Sequence, residues 1–586
     1  MKSIWNKNIA LFSSRFPSFF CLIEKEINFF SEKVETEKEA ELYPFWEVFN
    51  AKNGTISVKE NSHPLHSAYN PEREAESLIS LRKSEIENAT ALVFNGFGLL
   101  YAPIKAAALF PKKTLILIEP DINRFLAALL FTDAEKLFTH NSLILACGIP
   151  TNEVITLLSQ NGILNSVFFS NSSQTEHAKS YFLELSLLVE RNRNKEKINN
   201  ATLEKFRSLW FRNSKRNIYT TATAESVDIY KNKAKNLPFL VLGAGPSLKN
   251  ILDSLNELKK RMIIVCVDTA LNALLKKDVQ PDFIVLTDPQ YWAYRHIAGL
   301  KSPESILITE NVAYPSVFNF ECKKNVCCKS QIPVAHFFEE YCGNQSYLGS
   351  GGSVASCAWT FAEFSGADRI FLCGLDLSFP KKQTHIKGST FEQGVFKTSS
   401  KIKPAETASL PLLFGGNVIL EKDFNKNPVL TDQKMKMFAW WFESSIAKCK
   451  TAKTFTLSPE GLYIPGVEVF DLKNLFSLSD ISSQKKEFLE LSEPDFKKEE
   501  KKINFEKAKN AFNGELYKAC ELCSKALKNI DTPDFCAEKY KEQLDLLKID
   551  KILALAIPKS NQKLSKKEND IQFFKATEDF CKKYQL

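Results

Sequence analysis

Three kinds of residue in this chain are spaced for chemistry: glycines closing an apolar run, acids closing other apolar runs, and a histidine in a polar loop. Gly243-Ala244-Gly245-Pro246-Ser247-Leu248 follows the apolar run Phe239 to Leu242. A strand that ends in Gly-x-Gly and turns straight into a helix offers unpaired N–H groups and the positive end of the helix dipole to an anion, and glycine lets a phosphate approach the main chain. Pro246 suits the first helical turn, where its missing N–H costs nothing, and Ser247 adds a hydroxyl. Gly243, Gly245, Pro246 and Ser247 are therefore a candidate phosphate site, with tight strand-to-helix packing as the competing use of the same glycines. Asp268 and Asp288 close the runs Val265 to Val267 and Val285 to Thr287. Strand ends of an open α/β sheet line the ligand crevice, and capping of the next helix is a compatible second role. Gly351, Gly352 and Ser353, in the loop Gly349 to Ser353, repeat the anion-binding logic before the helix predicted over Val354 to Phe364. Two such loops in one sheet suggest a ligand with separated polar parts, such as a nucleotide-sugar. Gly374-Leu375-Asp376 closes a further strand. His385, in the loop that follows, is a candidate general base or a solvated loop histidine.

The elements that must position these groups alternate. Strands are predicted at Phe239 to Leu242, Met262 to Val267, Phe283 to Leu286 and Arg369 to Cys373, with helices at Ser247 to Lys260, Thr269 to Lys276 and Val354 to Phe364. Buried strands separated by helices imply a mostly parallel sheet covered on both faces.

The leading region repeats the order at smaller scale. Strand-like pieces at Phe45 to Phe49 and Thr55 to Val58 precede a strand at Thr90 to Phe94, the turn Gly96-Phe97-Gly98, a helix at Ala102 to Leu109 and a strand at Thr114 to Ile118 that runs into Glu119-Pro120-Asp121. That is a Rossmann-like order. The third glycine of a dinucleotide fingerprint is missing, so Gly96 and Gly98 serve packing or a ligand; with a ligand, Glu119 is the natural ribose partner.

The fold class expected is α/β: two Rossmann-like parallel-sheet domains in tandem, residues 1–205 and 206–475, and an all-helical domain at 480–586. A length of 586 residues exceeds what one core organises. The helical tail is indicated by the Lys/Glu-rich run Phe496 to Lys502 and by Ala508, Phe512, Leu516, Ala519 and Leu522 at helical spacing. An apolar content of 44% with 25% charged residues belongs to a globular protein. The first residues are too broken by charge and proline for a signal peptide or spanning helix, so a cytoplasmic location without a transmembrane segment is expected. The fourteen cysteines are scattered beside apolar residues, as buried reduced thiols are; Cys520 and Cys523 lack a second pair, and no metal site is expected. The net charge of +8 is spread along the chain rather than gathered in a stripe, which excludes an obvious nucleic-acid surface.

Taken in order, Gly243 to Leu248, Pro281-Asp282-Phe283 with Thr287-Asp288-Pro289-Gln290, Gly351 to Ala355, and Gly374-Leu375-Asp376 with Thr384-His385 resemble the motility-associated-factor (Maf) glycosyltransferases. Asn70 to Ala75, Gly96-Phe97-Gly98, Glu119-Pro120-Asp121, Glu460-Gly461 and Pro465-Gly466 are similar to that family as well. The match covers residues 1–475. The resemblance implies a central domain related to bacterial sialyltransferases and transfer of a nonulosonic acid, pseudaminic or legionaminic, from a CMP-activated donor to serine or threonine of flagellin. It implies donor binding by Gly243 to Ser247, Asp268, Asp288 and Gly351 to Ser353, with His385 as base and Asp376 as the alternative. A divalent cation is not expected, though Asp268 and Asp288 are able to share one. Sialyltransferases of this kind place tyrosines after the Gly-x-Asp strand to hold the departing phosphate. Ser378 and Phe379 stand there in this chain, leaving Ser378, Lys381 or Lys382 to substitute.

Two other readings compete. The central region also resembles archaeal hydroxymethylpterin diphosphokinases, which share the glycine-proline-serine loop but need a second acid beside Asp288. A non-catalytic flagellin-binding scaffold would carry the same loops as relics.

Overall fold

The computed structural model describes the chain except residues 37, 331, 344, 350, 416–417 and 558–564, and describes the backbone alone at 39–40, 198–201, 203–204 and 412. The chain divides into two compact units, Met1–Leu203 and Glu204–Leu586. The division falls inside one helix, Lys179–Thr223, which extends well past the Leu203 end expected from the sequence.

In the first unit, β1 (Ala91–Asn95), β2 (Thr114–Glu119), β3 (Leu143–Cys147) and β4 (Ser166–Ser170) form a parallel sheet in the order β3-β2-β1-β4. The first three positions of that order follow the βαβαβ sequence of half a dinucleotide fold. A small antiparallel sheet of Glu47–Asn50, Ile56–Glu60 and His63–Pro64 precedes it.

The second unit is built on nine parallel strands. They are β5 (Glu225–Ser226), β6 (Phe239–Leu242), β7 (Ile263–Val267), β8 (Phe283–Val285), β9 (Lys301–Thr309), β10 (Glu321–Cys327), β11 (Arg369–Cys373), β12 (Lys453–Thr456) and β13 (Glu468–Val469). Their order is β13-β12-β11-β6-β7-β8-β9-β10-β5. The winding runs outward from β6 through β10 on one side, then returns to lay β11 against the other side of β6. Two apolar clusters cover the two faces: Phe239, Val241, Val265, Phe283 and Phe361 on one, Leu240, Leu242, Ile264, Ile284 and Phe371 on the other. Alternate residues of the same strands point opposite ways, which is why strands with both faces covered are uniformly apolar.

The α/β class with tandem parallel sheets and a helical tail is thus what the chain adopts. The helical segment after residue 480 lies within the second unit rather than apart from it. Phe505, Phe512 and Phe574 of that segment share one buried cluster with Phe211, Ile218, Phe337 and Phe338. The helix Asp495–Asn529 has a single apolar stripe, and burying it requires a partner surface.

Candidate active site at the switch point of the central sheet

β6 and β11 are the neighbours from which the chain winds in opposite directions, and a crevice forms beyond the carboxyl ends of such a pair. A cavity of about 430 Å³ lies there. It is lined by Gly243 and Gly245 after β6, Asp268 after β7, Asp288 after β8, Gly374 to Ser378 after β11, and Ser353 and Val354 where the helix Val354–Phe364 begins. The sequence-predicted Asp376 and His385 line it too.

The two glycine loops act differently from expectation. The N–H of Gly243 donates to Cys373 O at 2.8 Å, that of Gly245 to Gly374 O at 2.8 Å, and that of Ser247 to Asp376 Oδ2 at 3.0 Å. Ser247 Oγ accepts from the Gly374 N–H at 3.1 Å and lies 2.6 Å from Ser458 Oγ. These donors are already spent on the neighbouring loop, so they form no anion trap. Glycine is required because the loops interlock: a Cβ on Gly245 would lie 2.7 Å from Gly374 O and would overlap the Asp376 carboxylate. Pro246 and Ser247 are buried beneath this junction and do not line the cavity. The α-helix expected over 247–260 is a succession of short pieces. Leu248, Ile251 and Ser254 donate to the carbonyls three residues back, giving 3-10 turns at Pro246–Asn250 and Leu252–Ser254 and a single α turn at Leu255–Leu258.

In the second loop, Ser353 caps the helix by accepting from Ala355 N–H at 3.3 Å. Gly351 donates to Ser356 Oγ at 2.7 Å, and a Cβ there would overlap the Trp441 ring, so Gly351 and the exposed Gly352 pack against the helix Gln433–Lys448 rather than face the cavity. Ser350 lies outside the described residues.

The cavity's acids are tuned by burial. Desolvation, with the Asp288 charge second, pushes Asp268 up to about 7. Burial raises Asp376 as well, against the Ser247 hydrogen bond that favours its ionised form. Asp376 Oδ1 is buried without a hydrogen-bond partner. Asp288 accepts from Gln290 N–H at 2.8 Å, a local turn contact, while the helix Tyr291–Ile297 begins without a side-chain cap. Both cavity histidines are lowered by burial, His385 further by the nearby His296. His385 stacks on Phe391 with ring centres 4.7 Å apart.

Sequence reasoning missed His296, Trp292 and Phe438, all of which line the cavity. Trp292 and His296 are four residues apart on the helix Tyr291–Ile297 and so share a face. The spacing was visible in Tyr291-Trp292-Ala293-Tyr294-Arg295-His296; that this face met the cavity was not. Of the two residues standing where the tyrosines would, Ser378 lines the cavity but donates to Asp376 O at 2.9 Å and Phe379 is buried; of the lysines considered as substitutes, Lys382 is exposed and does not line the cavity. Lys381 is exposed and paired with Glu460 at 3.1 Å. Among the described residues, no lysine or arginine lines the cavity and no group of three or more His, Cys, Asp or Glu is arranged to hold a metal ion.

In the first unit, packing accounts for the remaining candidates. A Cβ on Gly98 would overlap His66 Nε2, which accepts from Leu99 N–H at 2.8 Å, and one on Gly96 would lie 2.5 Å from Gln174 O. Glu119 is buried, accepts from Asp121 N–H at 3.1 Å and pairs with His177 Nε2 at 2.8 Å, which leaves it engaged within the fold rather than open to a ribose. No helix among the described residues is long and apolar enough to cross a membrane.

Residues 212–382 match the family described as 6-hydroxymethylpterin diphosphokinase MptE-like. An uncharacterised protein of Treponema pallidum is 32% identical over 235 residues, covering 35% of this chain and 60% of that protein. A second from the same organism is 26% identical over 258 residues, covering 44% of this chain and 85% of the other. The chain thus spans under two thirds of the first relative. A 6-hydroxymethyl-7,8-dihydropterin pyrophosphokinase of Methanothermobacter thermautotrophicus is 47% identical over 47 residues, covering 8% of this chain and 20% of that enzyme. The solved structure of a MAf glycosyltransferase from Magnetospirillum magneticum AMB-1 superposes with a TM-score of 0.58 at 15% identity, covering 100% of this chain and 91% of the other. From end to end, therefore, the chain has a fold similar to that of a Maf glycosyltransferase, the family its motifs resemble.

Proposed function

We propose that this protein is a glycosyltransferase that moves a nonulosonic acid, of the pseudaminic or legionaminic type, from a CMP-activated donor to serine or threonine of flagellin. The observation that carries the reading is the convergence of Asp268, Asp288, Asp376, His296 and His385 on one cavity at the switch point of a Maf-like fold. The cavity falls in the size range of small-ligand sites. Asp268 is compatible with an anionic donor because burial holds it neutral up to about pH 7, making a hydrogen-bond donor of a group that would otherwise repel a phosphate; burial moves Asp376 in the same direction. The histidines are neutral near pH 7, the state in which imidazole accepts the acceptor hydroxyl's proton. Trp292 and Phe438 supply apolar faces against which a sugar or base ring packs.

Purified protein incubated with CMP-activated nonulosonic acid and flagellin is expected to raise the intact mass of flagellin by one or more sugar residues. Asp288→Ala and His385→Ala should each lower the rate by about 100-fold or more. Flagellin binding without a mass gain would instead support the scaffold reading. A second reading, diphosphoryl transfer from ATP to a hydroxymethylpterin, is favoured by the match over 212–382. AMP release with 6-hydroxymethyl-7,8-dihydropterin and ATP, with no sugar transfer, would establish it.

A further inference from the structure

The chain that follows β11 leaves an apolar surface uncovered beside the cavity. Its helix Thr390–Thr398 carries Phe391, Val395 and Phe396, and none of its residues is fully buried. A helix this short is marginal on propensity alone and gains its stability from what packs on it. One contact is with the cavity wall: Phe391 stacks on His385, and the Thr390 hydroxyl lies 3.4 Å from His296 O. Phe396, by contrast, is 60% exposed. The same helix packs on the helix Tyr291–Ile297, whose Trp292 both lines the cavity and is 65% exposed, which places it at the mouth. Tyr291 beside it is exposed as well. The apolar surface continues along the chain through Ile402 and through Phe414 of the helix Leu410–Phe414, both exposed; the turn Ala405–Ser409 packs on this helix and on Thr390–Thr398. The exposed cations Arg295, Lys397 and Lys401 make no ion pair among the described residues, and the Arg295 guanidinium lies 5.7 Å from the Trp292 ring centre.

What covers this surface follows from the size of the cavity. At about 430 Å³ it has the volume of a small-ligand site, which a nucleotide-sugar fills. A polypeptide does not fit beside that donor, so the chain that brings the acceptor hydroxyl rests on the rim and reaches in with one side chain. Exposed apolar surface at the mouth of a site marks a contact with a partner, and Trp, Tyr, Phe and Arg are the residue types enriched where proteins bind one another. We infer that the rim formed by the helices Tyr291–Ile297 and Thr390–Thr398 docks the acceptor protein, through apolar residues flanking its acceptor serine or threonine and acidic residues facing Lys397 and Lys401. The inference rests on the transferase reading. Burial of Trp292 and Phe396 supplies affinity, while the unpaired lysines steer an acidic segment toward the mouth and make the encounter sensitive to salt.

Steady-state transfer to flagellin by the full-length protein tests this. Phe396→Ser and Lys397→Glu should each raise flagellin KM by about tenfold, with donor KM and the rate at saturating flagellin changed less than about threefold. The wild-type flagellin KM should rise with added salt, and less steeply in Lys397→Glu. Leu546→Ser, which alters an exposed leucine of the C-terminal segment, should leave flagellin KM unchanged. An unchanged flagellin KM in Phe396→Ser, or a rise in donor KM of the same size, overturns the inference. So does self-association, or binding to anionic phospholipid vesicles, that Phe396→Ser abolishes while flagellin KM stays in place, because the rim then serves a second copy or a membrane. A wild-type protein that transfers no sugar refutes the transferase reading, and the anisotropy of labelled flagellin then decides the docking. Tighter binding to wild type than to Phe396→Ser supports it; equal or absent binding refutes it.

Discussion

At the scale of single residues, the junction of the β6 and β11 loops makes a direct prediction. Gly245 has an ordinary backbone φ of −71°, so alanine there would be disfavoured by overlap and not by conformation. Gly245→Ala should lower stability by about 1–3 kcal/mol, read by urea denaturation, and should weaken ligand binding by displacing Asp376. Asp268 supplies a pH signature. Its folded-state pKa of about 7 lies above the ordinary aspartate range, so between about pH 4 and 7 the folded form holds a proton that the unfolded chain has released. Its stabilising contribution is complete below that window and is lost as pH rises through 7. Urea midpoints should therefore fall from pH 5 to pH 8, and the fall should be smaller in Asp268→Asn.

At the scale of elements, periodicity identified the strands that end at the cavity, while β5, β9, β10, β12 and β13 of the same sheet carried no expectation. The strands β6, β7 and β11 and the helix Val354–Phe364 fall where apolar runs place them. The segment after Gly245 carries Leu248, Ile251, Leu255 and Leu258 at helical spacing, all buried, yet its first turns are tightened. The Ser247 N–H is committed to Asp376, and the hydrogen bonds that follow reach three residues back rather than four. The long C-terminal helix behaves as its stripe indicates. Phe512 is 2% exposed, with ring centres 5.2 Å from Phe337 and 5.5 Å from Phe338. Phe512→Ala should lower stability by about 3–5 kcal/mol, measured by equilibrium unfolding of the intact protein.

At the scale of the whole molecule, the two units differ in what they need. The first has its own closed core around Phe12, Phe94 and Phe125. The second shares a buried cluster with the terminal helices. A chain truncated after residue 479 should therefore expose Phe211, Phe337 and Phe338, bind a hydrophobic dye and lose cooperative unfolding. A fragment of residues 1–203 should unfold cooperatively by circular dichroism. Soluble, cooperatively folding protein from the first truncation would show that the helices are a separate domain after all.

By itself the sequence determined local features: that runs such as Phe239 to Leu242 and Arg369 to Cys373 are buried strands, where glycines and acids close them, that Asp268, Asp288 and Asp376 belong at strand ends and that His385 lies in the loop after one. These follow from spacing, because periodicity and turn chemistry are written over a few residues. The tertiary structure decided which ends meet. β11 lies beside β6 although well over a hundred residues separate them, and that adjacency converts an apparent anion trap at Gly243 and Gly245 into a packed junction. It also brings His296, an unremarked residue on a short helix, to the same cavity as His385. Sheet order is set by how crossovers bury both faces of the sheet, a property of the whole unit that no local spacing encodes.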